Sequence, residues 1–154
     1  MKRNIFDQAA REEVLSRIEK LTVESKGKWG RLSAPQMVRH LAEACRLAFD
    51  EIPIADQSTF FTRTVAKWIF LSNIKPPGRE KGNIKTMAEV DIVELKTALS
   101  EMGIEKQNYK ALVDRMVNTL ELSKKHPLFG KMSRKDWGLL TYAHADYHLT
   151  QFGL

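Results

Sequence analysis

The chain has 154 residues, enough for one domain with one core, and 43% of them are apolar, which argues against long disorder. Lys and Arg exceed Asp and Glu by 6, yet neither basic stretch (Lys75 to Lys85, Lys124 to Lys135) interleaves the aromatics of a nucleic-acid groove, so a solvated basic surface is the better reading. A single cysteine, Cys45, rules out an internal disulfide, and the N-terminal Met1-Lys2-Arg3-Asn4-Ile5-Phe6-Asp7 lacks the apolar run of a signal peptide; with no stretch long enough to span a membrane, a cytoplasmic protein is expected.

The pattern predicts helices almost throughout. Asp7 can cap a first helix to about Leu21, with Ala10, Val14, Leu15, Ile18 and Leu21 facing inward. Lys26-Gly27-Lys28-Trp29-Gly30 breaks it. Ser33-Ala34-Pro35-Gln36 then reads as a capping box: the Ser33 hydroxyl can accept from the third amide, Gln36 can reach back to the Ser33 amide, and Pro35 is tolerated in the first turn. This second helix runs to about Asp50, with an inward stripe of Met37, His40, Leu41, Ala44, Leu47 and Ala48. A third helical segment spans about Thr59 to Asn73.

The segment Ile74 to Asn83 is a basic, turn-rich connection carrying Lys75, Arg79 and Lys81. Asp91 to Met102 is expected to be a short helix ended by Gly103. A longer helix is expected from Asn108 or Tyr109 to Lys124, with Ala111, Leu112, Met116 and Leu120 on one side. The last helix begins at Ser133 and runs nearly to the end, with Trp137, Leu140, Thr141, His144, Tyr147, His148 and Gln151 on its inward stripe. No run alternates like a strand. The simplest architecture is all-α, a bundle of four main helices plus short extras in one domain, residues 1–154.

Two segments echo one another. Trp29-Gly30-Arg31-Leu32-Ser33 and Phe129-Gly130-Lys131-Met132-Ser133 each place an aromatic, a glycine, a cation and an apolar residue before a capping serine. Each precedes a histidine-bearing helix, and helix-capping chemistry explains the echo as well as duplication does.

The histidines carry the functional signal. His144 and His148 are four residues apart, which stacks them on one helical face about 6 Å apart along the axis. His40 lies on the inward stripe of another helix. A buried imidazole needs a partner. Three neutral rings without a fourth protein ligand describe a divalent metal site with open positions. A hydrogen-bonded core histidine is the competing reading for each ring taken alone.

Glu43, one helical turn past His40, is a candidate fourth ligand or general base, against an ion pair with Arg39 or Arg46. Tyr147, Thr141, Gln36 and Gln151 are weaker candidates around the site. Cys45 sits about 140° from His40 and reads as a small buried residue. His126, before Pro127, reads as a loop-fixing hydrogen-bond partner, and Asp146 as the partner of a nearby cation.

The spacing of His40, His144 and His148 resembles the DinB-like superfamily of bacterial four-helix proteins. More narrowly, it resembles a branch of uncharacterised members with matching Trp29-Gly30-Arg31-Leu32-Ser33, Gln36-Met37-Val38-Arg39-His40-Leu41, His126-Pro127-Leu128-Phe129-Gly130 and His144-Ala145-Asp146-Tyr147-His148 to Gly153. Tyr147 departs from that branch, which has another histidine there, at a position outside the three ligands. The resemblance implies a DinB-like bundle holding Zn²⁺, Ni²⁺ or Fe²⁺ through His40, His144 and His148. It also implies a thiol-dependent transferase or hydrolase acting on a small thiol, and by analogy a homodimer; the basic stretch Lys75 to Lys85 could attract an anionic substrate. A non-enzymatic metal-binding or stress protein with a structural metal is the alternative.

Overall fold

A computed structural model describes residues 2–72 and 87–154. Residues Asn73 to Lys85, which include the end predicted for the third helix and the basic connection, lie outside the described residues. The described structure is mostly helical, with five α-helices and one very short strand pair.

Helix α1 spans Gln8–Glu19 and buries Ala10, Val14 and Ile18, with Leu21 buried just beyond it and Leu15 half-buried. Asp7 occupies the cap position, but its side chain makes no capping hydrogen bond. Helix α2, Ala34–Leu47, starts with the predicted capping box: Ser33 Oγ accepts from the Gln36 amide at 3.4 Å, and Gln36 Oε1 accepts from the Ser33 amide at 2.9 Å. It stops three residues before Asp50, which adopts φ 56°, a left-handed conformation that ends the helix.

The third segment is not a plain helix. Thr62–Ala66 forms a π-helical turn that passes into α3, Lys67–Leu71. Threonine hydroxyls compete with the ladder here: Thr64 Oγ1 donates to the Phe60 carbonyl at 2.7 Å, and Thr62 and Thr59 hydrogen-bond each other.

The helix expected over Asp91 to Met102 does not form. A 3₁₀ turn covers Ala88–Val90, after which Asp91 Oδ1 accepts from the Val93 and Glu94 amides at 3.1 and 3.2 Å. A short acceptor side chain that binds amides two and three residues on holds a turn in place of helix.

Helix α4 instead begins at Met102 and ends at Asn118. Gly103 lies in its first turn and terminates nothing. Its buried side is Met102, Glu105, Tyr109, Leu112, Val113 and Met116, while Ala111 and Leu120 are exposed. The predicted stripe was one residue out of phase at Ala111, and Leu120 falls past the helix end.

Strands β1 (Lys125–His126) and β2 (Gly130–Lys131) pair antiparallel in a tight hairpin. Helix α5, Arg134–Gln151, starts with a second capping box between Ser133 and Asp136, the echo of the one on α2. The long helices pack α2 on α4, α1 on α5, α2 on α5 and α1 on α4.

Helix α5 is buried on two faces. Gly138, Tyr142, Ala145 and Leu149 are buried with the inward stripe, of which Leu140, Thr141, His144 and Tyr147 are only half-buried. Gly138 lets the N-terminal segment lie close: a Cβ there would come within 2.0 Å of Asn4 Oδ1 and 2.6 Å of the Phe6 ring, and the Ile5 amide donates to the Gly138 carbonyl at 3.1 Å. Among the described residues, no helix is long and apolar enough to cross a membrane.

Candidate metal centre

The contact of α2 with α5 brings His40, His144 and His148 together. Their ring nitrogens all lie within 4.8 Å of one another. His144 Nε2 is 3.0 Å from His40 Nε2 and 3.2 Å from His148 Nε2, and each pair of ring centroids is 4.9 Å apart at steep angles. Nitrogens about 2.0–2.1 Å from one tetrahedral ion would stand roughly 3.3 Å apart, so the two close separations suit a single cation.

Hydrogen bonds around the rings set their tautomers. His148 Nδ1 lies 3.0 Å from Gln151 Oε1, and the Gln151 amide nitrogen donates to the Trp29 carbonyl. That second bond fixes the amide orientation, so Gln151 Oε1 accepts from His148 Nδ1–H and Nε2 keeps a bare lone pair. The Val90 main chain favours the protonated form of His40, as a carbonyl facing a ring N–H would. With Nε2 turned to His144, that places the hydrogen on Nδ1 and leaves His40 Nε2 bare.

One N–H on His144 Nε2 can serve only one of these two neighbours, which leaves a second pair of lone pairs facing each other. A cation at their centre removes that conflict.

The environment keeps the rings neutral, the form that binds metal. Burial pushes the His148 imidazole down to about 3, with His40 adding to the effect, and holds His144 well below its ordinary value, with His148 and His40 adding to it. Burial also lowers His40, partly offset by Val90 and Asp91. His40 and His148 are 5% and 8% exposed, whereas His144 is half-buried.

The remaining candidates are placed elsewhere. Glu43 pairs with Arg39 at 2.7 Å and Arg46 at 3.7 Å, and the histidine group does not include it. The Tyr147 ring packs edge-on against His148, with centroids 4.9 Å apart. Gln36 is engaged in its helix cap, and Thr141 Oγ1 lies 3.9 Å from Met116 Sδ. Asp146 pairs with Arg17 at 2.9 Å. Cys45 is buried, and burial pushes its thiol up to about 12, so it is neither ligand nor nucleophile. His126 Nδ1 accepts from the Leu128 and Phe129 amides at 3.1 and 3.4 Å and fixes the β1–β2 turn.

Sequence reasoning missed the main-chain partners. Val90 reaches His40 because Ala88–Val90 packs on α2, and Asp91 beside it is tied to Arg31. Trp29 reaches Gln151 because Gly30 takes φ 85°, and a Cβ there would meet the Gln151 amide nitrogen at 2.0 Å. The glycine in the Trp29-Gly30 lead-in was the available signal.

Gln151→Ala is therefore expected to lower metal affinity about 10- to 100-fold while leaving helix content intact. Competition against a chromophoric chelator, with circular dichroism beside it, measures both. An unchanged affinity would show that Gln151 does not orient His148.

No curated protein and no solved structure matches the chain. A family model does match, over residues 2–153, and its description is "Protein of unknown function (DUF1569)". Since that match takes in nearly every residue, the histidine-bearing helices α2 and α5 included, the chain belongs to the DUF1569 family.

Proposed function

We propose that this is a one-domain, DinB-like four-helix bundle that holds one divalent metal through Nε2 of His40, His144 and His148. The single observation that carries the reading is the convergence of three ring nitrogens, two of them bare by their outer hydrogen bonds. Three imidazoles suit Zn²⁺ or Ni²⁺, and Fe²⁺ is compatible. Such an ion supplies Lewis acidity and lowers the pKa of a bound water or thiol.

The chain's own part is to hold the rings neutral and oriented. Val90 and Gln151 do this for His40 and His148. The half-buried side at His144 is where a small ligand would approach, which favours a thiol-dependent transferase or a hydrolase over a closed structural site.

Cobalt-loaded protein tests this reading. Adding a low-molecular-weight thiol should produce a thiolate-to-cobalt absorption band at saturable concentrations. If cobalt raises the melting temperature and no thiol or anion perturbs its spectrum, the metal is structural. The close approach of the three ring nitrogens would favour that second reading, because a metal that relieves their facing lone pairs stabilises the fold.

A further inference from the structure

A cleft of about 460 Å³ opens between the N-terminal segment, α3 and the first turn of α5. It is separate from the histidine cluster. Lys135, on its rim, precedes His144 by nine residues, which places it about 180° around α5 and roughly 13 Å along its axis. The volume falls within the range of small-molecule sites.

The cleft's chemistry is one-sided. Lys2, Lys67 and Lys135 line it against a single carboxylate, Asp136. Asp136 is already engaged: its Oδ2 accepts from the Ser133 amide at 3.0 Å and sits 3.3 Å from Lys67 Nζ. Lys67 is fixed in place, since it also donates to the Lys131 carbonyl and its side chain is only 19% exposed. Lys2 Nζ reaches the Ser72 hydroxyl at 3.4 Å. Among the described residues, neither Lys2 nor Lys135 has a carboxylate within ion-pair distance.

Beside these cations Trp68 forms an aromatic wall that is 61% exposed, continuous along the helix with exposed Phe61 and Val65. A large indole left in water next to surplus positive charge suits a ligand with both a flat apolar part and a negative group.

We propose that this cleft binds a small organic anion, a carboxylate or phosphate ester on a flat apolar body, with the anionic group in the field of Lys2, Lys67 and Lys135 and the body against Trp68. Calorimetric titration with phenyl phosphate, benzoate and the neutral analogue benzyl alcohol tests it. At least one of the two anions should bind saturably, weaken with rising salt, and lose about tenfold or more in affinity in the Lys2→Gln/Lys135→Gln double variant. Which anion binds more tightly identifies the head group.

Both lysines are exposed and remote from the three histidines, so the loss would report this cleft and not the metal centre. Trp68→Ala should weaken the same anion. No saturable binding of either anion, equal binding of benzyl alcohol, or parent-like affinity in the double variant would overturn the proposal.

Discussion

Protein purified with His40→Ala or His144→Ala is expected to carry almost no divalent metal, where the proposed site gives the parent one ion per chain. Each substitution leaves two imidazoles on a cation that needs at least three anchored donors to compete with water. Structural zinc sites gather their binding free energy from a handful of such ligands, so losing one of three should cost about 4 kcal/mol, or roughly a thousandfold in affinity. His148→Ala should behave in the same way and in addition free Gln151 from its partner.

The contrast is Glu43→Gln. That carboxylate is held by Arg39 and Arg46, so its removal should leave metal content at the parent level. Elemental analysis of the four purified variants beside the parent decides this. Equal metal in His40→Ala and the parent would remove the site, whereas metal loss in Glu43→Gln would add a fourth ligand.

Acid is expected to destabilise the fold well above the pH at which its carboxylates titrate. His126 is packed against Phe129 and Trp137, and burial pushes its imidazole down to about 4, with nearby Lys67 contributing. Its Nδ1 is also committed as an acceptor to two amides. In the unfolded chain the same ring takes up a proton near pH 6.5.

Between those two values the unfolded state binds more protons, so stability present at neutral pH is lost as the pH falls. His126 alone accounts for about 2 kcal/mol by pH 5 and about 3 kcal/mol in full. His148, with its imidazole near 3, acts in the same direction, and a bound metal would be displaced as its ligands protonate.

Urea unfolding at pH 7 and pH 5 should show a clear fall for the parent and a smaller one for His126→Asn, which keeps an acceptor but cannot titrate. The same pH dependence in both proteins would mean that His126 does not carry the effect.

What could be read in the sequence was mostly local. Both capping boxes were legible because each is written within four residues, Ser33 to Gln36 and Ser133 to Asp136, and both form. The i, i+4 histidine pair and the inward position of His40 followed from helical periodicity, and the three rings do meet.

Features that depend on competition between local hydrogen bonds were read wrongly. The Asp91 side chain holds a turn where a helix was expected, and α4 then starts at Met102 and is extended through Gly103. Threonine hydroxyls open the π turn before α3 in the same way.

The long-range links could not be read at all. Trp29 and Gln151 are 122 residues apart, and Val90 reaches His40 from a 3₁₀ turn with no periodicity to announce it. Their partners are main-chain carbonyls, which leave no trace in residue identity beyond the glycine at position 30.

The central claim is that three imidazoles share one cation, and a crystal of the metal-loaded protein measured at the absorption edge of the bound metal tests it most directly. The account predicts one anomalous-difference peak per chain, about 2.0–2.1 Å from Nε2 of His40, His144 and His148. A fully loaded crystal with no peak among these rings, or with its peak on other side chains, would contradict it.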